Sequence, residues 1–142
     1  MAYENNGKKF VAVINRKHPL PVILNALAHA AFGLSGKGSH IGHLLDYRNG
    51  ATGLLAKVDE SPFIILEAKN ANQLQVLLSA AMADPRLAYN AFTASMIGDS
   101  AAAQIKATQV ATAEGLDFIV VILFGFREDV EPLTKRFSLL RN

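Results

Sequence analysis

The sequence predicts one α/β domain of three layers, α/β/α, built on a mixed, largely parallel central sheet. Three observations predict it. Continuous apolar runs at residues 10–14 and 118–124, the latter within a strand expected at 116–124, have the pattern of strands covered on both faces. Stretches with leucine and alanine at helical spacing lie between such runs, and breaks rich in Gly, Pro and Asn separate the two kinds of segment. A chain of 142 residues suits one core, so residues 1–142 are read as a single domain without repeat or linker.

The elements follow in order. Phe10, Val11, Ala12, Val13 and Ile14 form the strand expected at the sheet centre, stopped by Asn15, Arg16, Lys17 and His18. Pro19 and Pro21 then admit a helix over about 21–32, because proline lacks an N–H that the first turn does not need. Leu24, Leu27, Ala28 and Ala31 are assigned to its sheet-facing side and Gly33 to its stop. Residues 34–42, with Gly36, Gly38 and Gly42, are expected to be an exposed loop. Segments 43–48 and 52–58 flank Asn49-Gly50, a dipeptide suited to a tight hairpin turn, and imply a short, partly exposed hairpin.

Pro62 introduces a buried strand at 63–68, and Asn70 with Gln73 offers a capping box for a helix reaching about Ala83. Leu74, Leu77, Leu78 and Ala81 face its sheet, and Asp84-Pro85 ends it. A third strand is expected at 87–96. Asp99-Ser100 suits a helix start through Ile105 and Ala107, whereas Thr108, Val110 and Thr112 read equally as extended chain. After the most apolar strand comes Gly125 and a last helix at about 128–137, with acids at its start and Lys135-Arg136 at its end. Alternation of strands and helices implies right-handed crossovers.

Composition restricts function. There is no cysteine, which removes disulfides, thiolate metal sites and a cysteine nucleophile and fits a cytoplasmic setting. No signal-like apolar stretch follows the two N-terminal lysines, and no run approaches the ~20 residues of a membrane helix, so neither secretion nor membrane association is expected. Net charge is only +2, but residues 1–48 hold six Lys/Arg against two acids and all four histidines. That excess is too small to drive nucleic-acid binding by itself, which leaves RNA or DNA a weakly supported partner.

Asn15, Arg16 and Lys17 leave the carboxyl end of the first strand beside the next helix start, where α/β sheets bind ligands and helix termini favour anions. An anion or phosphate group is the ligand this implies; a solvated turn is the plain alternative. His29 suits a general base or ligand contact, although a histidine hydrogen-bonded inside the fold is the simpler reading. His40 and His43 have a metal-compatible spacing, but the glycines at 38 and 42 indicate loop, and no metal or cofactor is expected. Gly36-Lys37-Gly38-Ser39 departs from a phosphate-binding loop in spacing and follows a helix; it reads as a basic loop able to act as a lid. Thr93 and Asp99 add a hydroxyl and a carboxylate near the third strand, without a Gly-x-Ser-x-Gly elbow.

The opening FVAVINRKHPLPVILNALAHAAFGL, with its strand, Arg-containing turn and His-Ala-rich helix, resembles the start of the archaeal-type peptidyl-tRNA hydrolase fold. NALAHAAFGL, LLDYRNG, PFIILEA and the closing ILFGFREDVEPLTKRFSLL resemble still more an uncharacterised bacterial family, domain of unknown function two thousand (DUF2000), itself similar to that hydrolase in fold. The resemblance implies the hydrolase-like fold and a homodimer. The hydrolase has a lysine seven residues before its helix histidine and a glutamine three before it; here those positions are Val22 and Ala26. Three functions follow in order: binding of a small anionic or phosphate-bearing ligand; ester hydrolysis with His29, Thr93 or Asp99 replacing the lysine; and a purely structural or interaction role. Whether the chain is an enzyme stays open at this point.

Overall fold

A computed structural model describes residues 7–142. The stretch read above for a leader begins before them, and residues 1–6 lie outside the described residues. The elements are β1 (Lys8–Asn15), α1 (Leu20–Ser35), β2 (Leu44–Arg48), β3 (Leu55–Asp59), β4 (Phe63–Ala68), α2 (Ala71–Met82), β5 (Ala88–Thr93), a 3-10 turn (Ala94–Met96), α3 (Ala101–Val110), α4 (Ala113–Leu116), β6 (Phe118–Phe126), α5 (Arg127–Thr134) and β7 (Ser138–Leu139). The five-stranded sheet has the order β5-β6-β1-β4-β7, with β2 and β3 forming a separate two-stranded ribbon.

β1 is the middle strand, as its unbroken apolar run requires. Phe10, Ala12 and Ile14 join Ile23, Ala26, Ala30 and Leu34 of α1 in one core, whereas Val11 and Val13 join Leu74, Leu77 and Ala81 of α2 and Val130 of α5 in the other. Helices therefore cover both faces, and neighbouring side chains along β1 enter different cores because strand periodicity is two. β6 contributes to both cores and is buried from Phe118 to Gly125.

The sheet is mixed, but it is not largely parallel. Only β1 with β4 is parallel; β1 with β6, β5 with β6 and β4 with β7 are antiparallel. The link between β5 and β6 is the reason. It leaves and re-enters the sheet at the same edge, where the Ala94 N–H donates to the Asp117 carbonyl at 3.0 Å, so β6 must run back along its neighbour. Helices within a connection do not distinguish a crossover from such a same-edge return.

Other expectations shift locally. α1 continues through Gly33 to Ser35, because that glycine makes room for Asn90, whose amide donates to the Ala30 carbonyl at 2.9 Å. Leu24 and Ala28 face solvent, and Ile23, Ala26, Ala30 and Leu34 are the buried stripe. The helix is apolar nearly all round, so periodicity alone does not choose its face. The hairpin turn is longer than Asn49-Gly50: residues 49–54 connect its strands, Asn49 Oδ1 accepts from the Ala51 and Thr52 N–H groups, and the positive φ falls at Gly53. The third sheet strand ends at Thr93 in the 3-10 turn. α3 is helical to Val110, with the Ser100 hydroxyl accepting from the Ala103 N–H. α5 stops at Thr134, so Lys135 and Arg136 lie just beyond it.

No helix among the described residues is long and apolar enough to cross a membrane. Leu123 sits in β6 with no accessible surface and packs in the α2-side core. Leu123→Ala should lower unfolding free energy by about 2–5 kcal/mol, the usual effect of a buried leucine-sized cavity, read from the midpoint of urea denaturation.

Candidate functional site

Three strands of one direction, β1, β4 and β5, end at a common sheet edge, and β6 and β7 begin there. At that edge the chain turns sharply after β1. Asn15 is buried, its side-chain amide donates to the Phe118 carbonyl of β6 at 3.0 Å, and its Oδ1 accepts from the Lys17 N–H at 3.0 Å. The amide thus ties the end of one central strand to the start of the other and bends the backbone into an Asx-type turn. Asn15 is a positioning residue here, with its oxygen and nitrogen both engaged.

The turn sends its two cations apart. Arg16 lies 3.7 Å from Glu67 of β4 and lines a cavity of about 290 Å³ with Lys69, Gln73 and Arg136. Lys17 lines a separate cleft of about 500 Å³ whose other walls are the N-terminal turn of α2 (Asn70, Asn72 and Gln75) and the α4–β6 junction (Glu114, Asp117 and Phe118). That volume lies within the range of small-molecule sites. Asn15, Arg16 and Lys17 were expected to act as one anion site; of the two cations only Lys17 lines this cleft, because successive residues of an extended turn diverge.

The α2 wall is built by its cap. Asn70 Oδ1 accepts from the Gln73 N–H at 3.0 Å, and Gln73 Oε1 accepts from the Lys69 N–H at 2.9 Å. This is the expected reciprocal cap, displaced by one residue from the Asn70 N–H. The N–H groups of Ala71 and Asn72 have no partner among the described residues, as the first turn of a helix dictates, and both residues line the cleft. The positive end of the helix dipole lies there too.

His18 and Asp117 add a pair that the sequence reading did not single out. His18 Nε2 is 3.2 Å from Asp117 Oδ2, the two residues being brought together by the same strand pairing that engages Asn15. Asp117 has φ 51°, a left-handed conformation that Asp tolerates better than most residues, and it turns the chain from α4 into β6. His18 was adjacent to a chosen residue and within reach of sequence reasoning; Asp117 carried no local signal.

The remaining candidates lie elsewhere. His29 is exposed on α1 and stacks against Phe92 with ring centres 5.9 Å apart, so it is not the internally hydrogen-bonded histidine that was expected. Thr93 is buried, but its hydroxyl belongs to a chain: Thr93 to Ser95 at 2.6 Å, Ser95 to Thr108 at 2.9 Å, and Thr108 donating to the Gln104 carbonyl at 2.8 Å. The last donation sets the sense of the chain, each hydroxyl donating onward from Thr93 toward the Gln104 carbonyl. Asp99 is exposed before α3, and neither it, His29 nor Thr93 lines the cleft. The glycine-rich loop follows the far end of α1, about 24 Å of helix from the site, which excludes it as a lid over this edge. Lys37 is fixed there, donating to the Tyr89 carbonyl at 2.7 Å with its charge 4.1 Å from the Tyr89 ring centre; partial burial lowers its pKa. His43 Nδ1 lies 3.4 Å from Glu60 in the same far region.

A family model described as "Protein of unknown function (DUF2000)" matches residues 8–141. The chain belongs to the DUF2000 family. Among solved structures, this DUF2000 chain is similar to a protein of unknown function from Agrobacterium tumefaciens str. C58, with a TM-score of 0.81, 16% identity, and coverage of 96% of this chain and 100% of the other. At that identity the likeness shows a shared fold. No curated protein matches the chain.

Asn15→Ala would leave the Phe118 carbonyl and the Lys17 N–H without their side-chain partner. We expect a loss of about 1–3 kcal/mol in denaturant unfolding, the usual consequence of orphaned buried polar groups. An unchanged midpoint would contradict the positioning role.

Proposed function

We propose that this DUF2000 protein binds a small anionic or phosphate-bearing ligand in the cleft between the β1–α1 turn, the start of α2 and the α4–β6 junction. The observation that carries the reading is that Lys17, without an ion-pair partner among the described residues, lines one cavity with Ala71 and Asn72 of the first turn of α2, where helical N–H groups lack intrahelical partners. An ammonium and two aligned backbone donors supply charge and direction to the same oxygen-rich group. The side-chain amides of Asn72 and Gln75 offer further polar contacts. Arg16, held by Glu67 beside another cavity, is not part of this set.

The peptidyl-tRNA hydrolase-like reading of the fold is likewise a proposal, supported by the opening strand–turn–helix sequence. Ester hydrolysis has weaker support than binding. His29, Thr93 and Asp99 do not share the cleft, and the His18–Asp117 pair has no hydroxyl or second lysine along the lining.

Thermal-shift measurements with inorganic phosphate and simple phosphomonoesters test the binding reading, because a ligand selective for the folded state raises Tm. Lys17→Ala should weaken binding roughly tenfold or more, the scale of one charge-assisted contact, while Arg16→Ala should leave affinity within about twofold. Absence of any shift with wild-type protein, or equal binding by the Lys17→Ala variant, overturns the assignment.

A further inference from the structure

We infer that the ligand of this cleft is zwitterionic, a small phosphomonoester or carboxylate that also carries a protonated amine; this rests on the anion-binding reading above. The charged side chains lining the cleft are Lys17, His18, Glu114 and Asp117. His18 and Asp117 are engaged with one another, Nε2 lying 3.2 Å from Oδ2. Lys17 and Glu114 line the same cavity, yet among the described residues neither has an ion-pair partner, and they do not pair with each other.

An unpaired cation and an unpaired anion that share one wall system but lie beyond ion-pair distance of each other present a separated pair of complementary charges. A simple anion satisfies only half of it. Placed against Lys17 and the α2 terminus, it leaves Glu114 uncompensated and is repelled by that carboxylate across the cleft. A ligand with an ammonium a few bonds from its phosphate or carboxylate meets both charges, so repulsion becomes attraction. The amides of Asn70, Asn72 and Gln75 suit this class, since a primary amide can donate to an anion and accept from an ammonium without imposing net charge. Asn70 keeps its NH₂ for such a contact, because only its oxygen is used by the helix cap.

Matched ligand pairs separate this inference from the underlying one. Titration calorimetry on the full chain compares ethyl phosphate with 2-aminoethyl phosphate, and propionate with 3-aminopropionate, at pH 7; the two pairs distinguish phosphate from carboxylate as the anionic group. The amino-bearing member of at least one pair should bind roughly tenfold or more tightly than its partner, the effect of one favourable charge contact in place of repulsion. Glu114→Gln, at an exposed position where folding should be untouched, should erase the preference while retaining ethyl phosphate or propionate binding; Lys17→Ala should weaken both members. Equal affinities within each pair on wild-type protein overturn the zwitterion inference and leave anion binding standing. A preference that persists in the Glu114→Gln variant overturns the role of that carboxylate. Failure of all four compounds to bind overturns the anion reading itself.

Discussion

The structure depends on one constraint: β1 and β6, two strands almost wholly apolar, must be removed from water on both faces. Pairing them antiparallel at the sheet centre meets the backbone hydrogen-bonding requirement, and α1 on one side with α2 and α5 on the other meets the hydrophobic one. The outer elements are consequences. β4 extends the sheet in parallel because α1 and the β2–β3 ribbon carry the chain back to the far edge. β5 and β6 are antiparallel because their connection stays at the site edge.

The same constraint produces the polar edge. A buried strand cannot end in an unpaired amide, so Asn15, the last residue of β1, uses its side chain to satisfy the β6 carbonyl and to start the turn. The turn then distributes charge. Arg16 goes to Glu67, whereas Lys17 and His18 line the cleft, His18 beside Asp117, so consecutive polar residues take different partners within one short segment. A site assembled this way draws its walls from residues 15–18, 70–75 and 113–118, which no sequence window contains.

Particular residues show what was legible. The strand at 63–68, the Asn70 cap and the Leu74–Leu77–Ala81 stripe were readable because each is a local pattern with one dominant physical cause. The first helix was legible as a helix but not in its orientation, since a nearly all-apolar segment gives periodicity little contrast. Asn49-Gly50 was a sound turn signal overtaken by Asn49 capping a longer loop. Among the residues lining the cleft, Lys17 was legible from its place after a buried strand. Glu114 and Asp117 were not, because their relevance comes from a strand pairing between distant segments, and His29, Thr93 and Asp99 were drawn in by residue type without a geometry to unite them.

By itself the sequence determined an α/β fold with β1 at its centre, helices between apolar strands, and a basic turn at the first strand's end. Hydrophobic runs and helix caps are properties of neighbouring residues, and their free energies act locally. Only the tertiary structure decided strand direction, the divergence of Arg16 from Lys17, and the placing of Lys17 and Glu114 along one cleft. Those outcomes depend on which buried surfaces and hydrogen bonds can be satisfied together, a condition that exists only when the whole chain is packed.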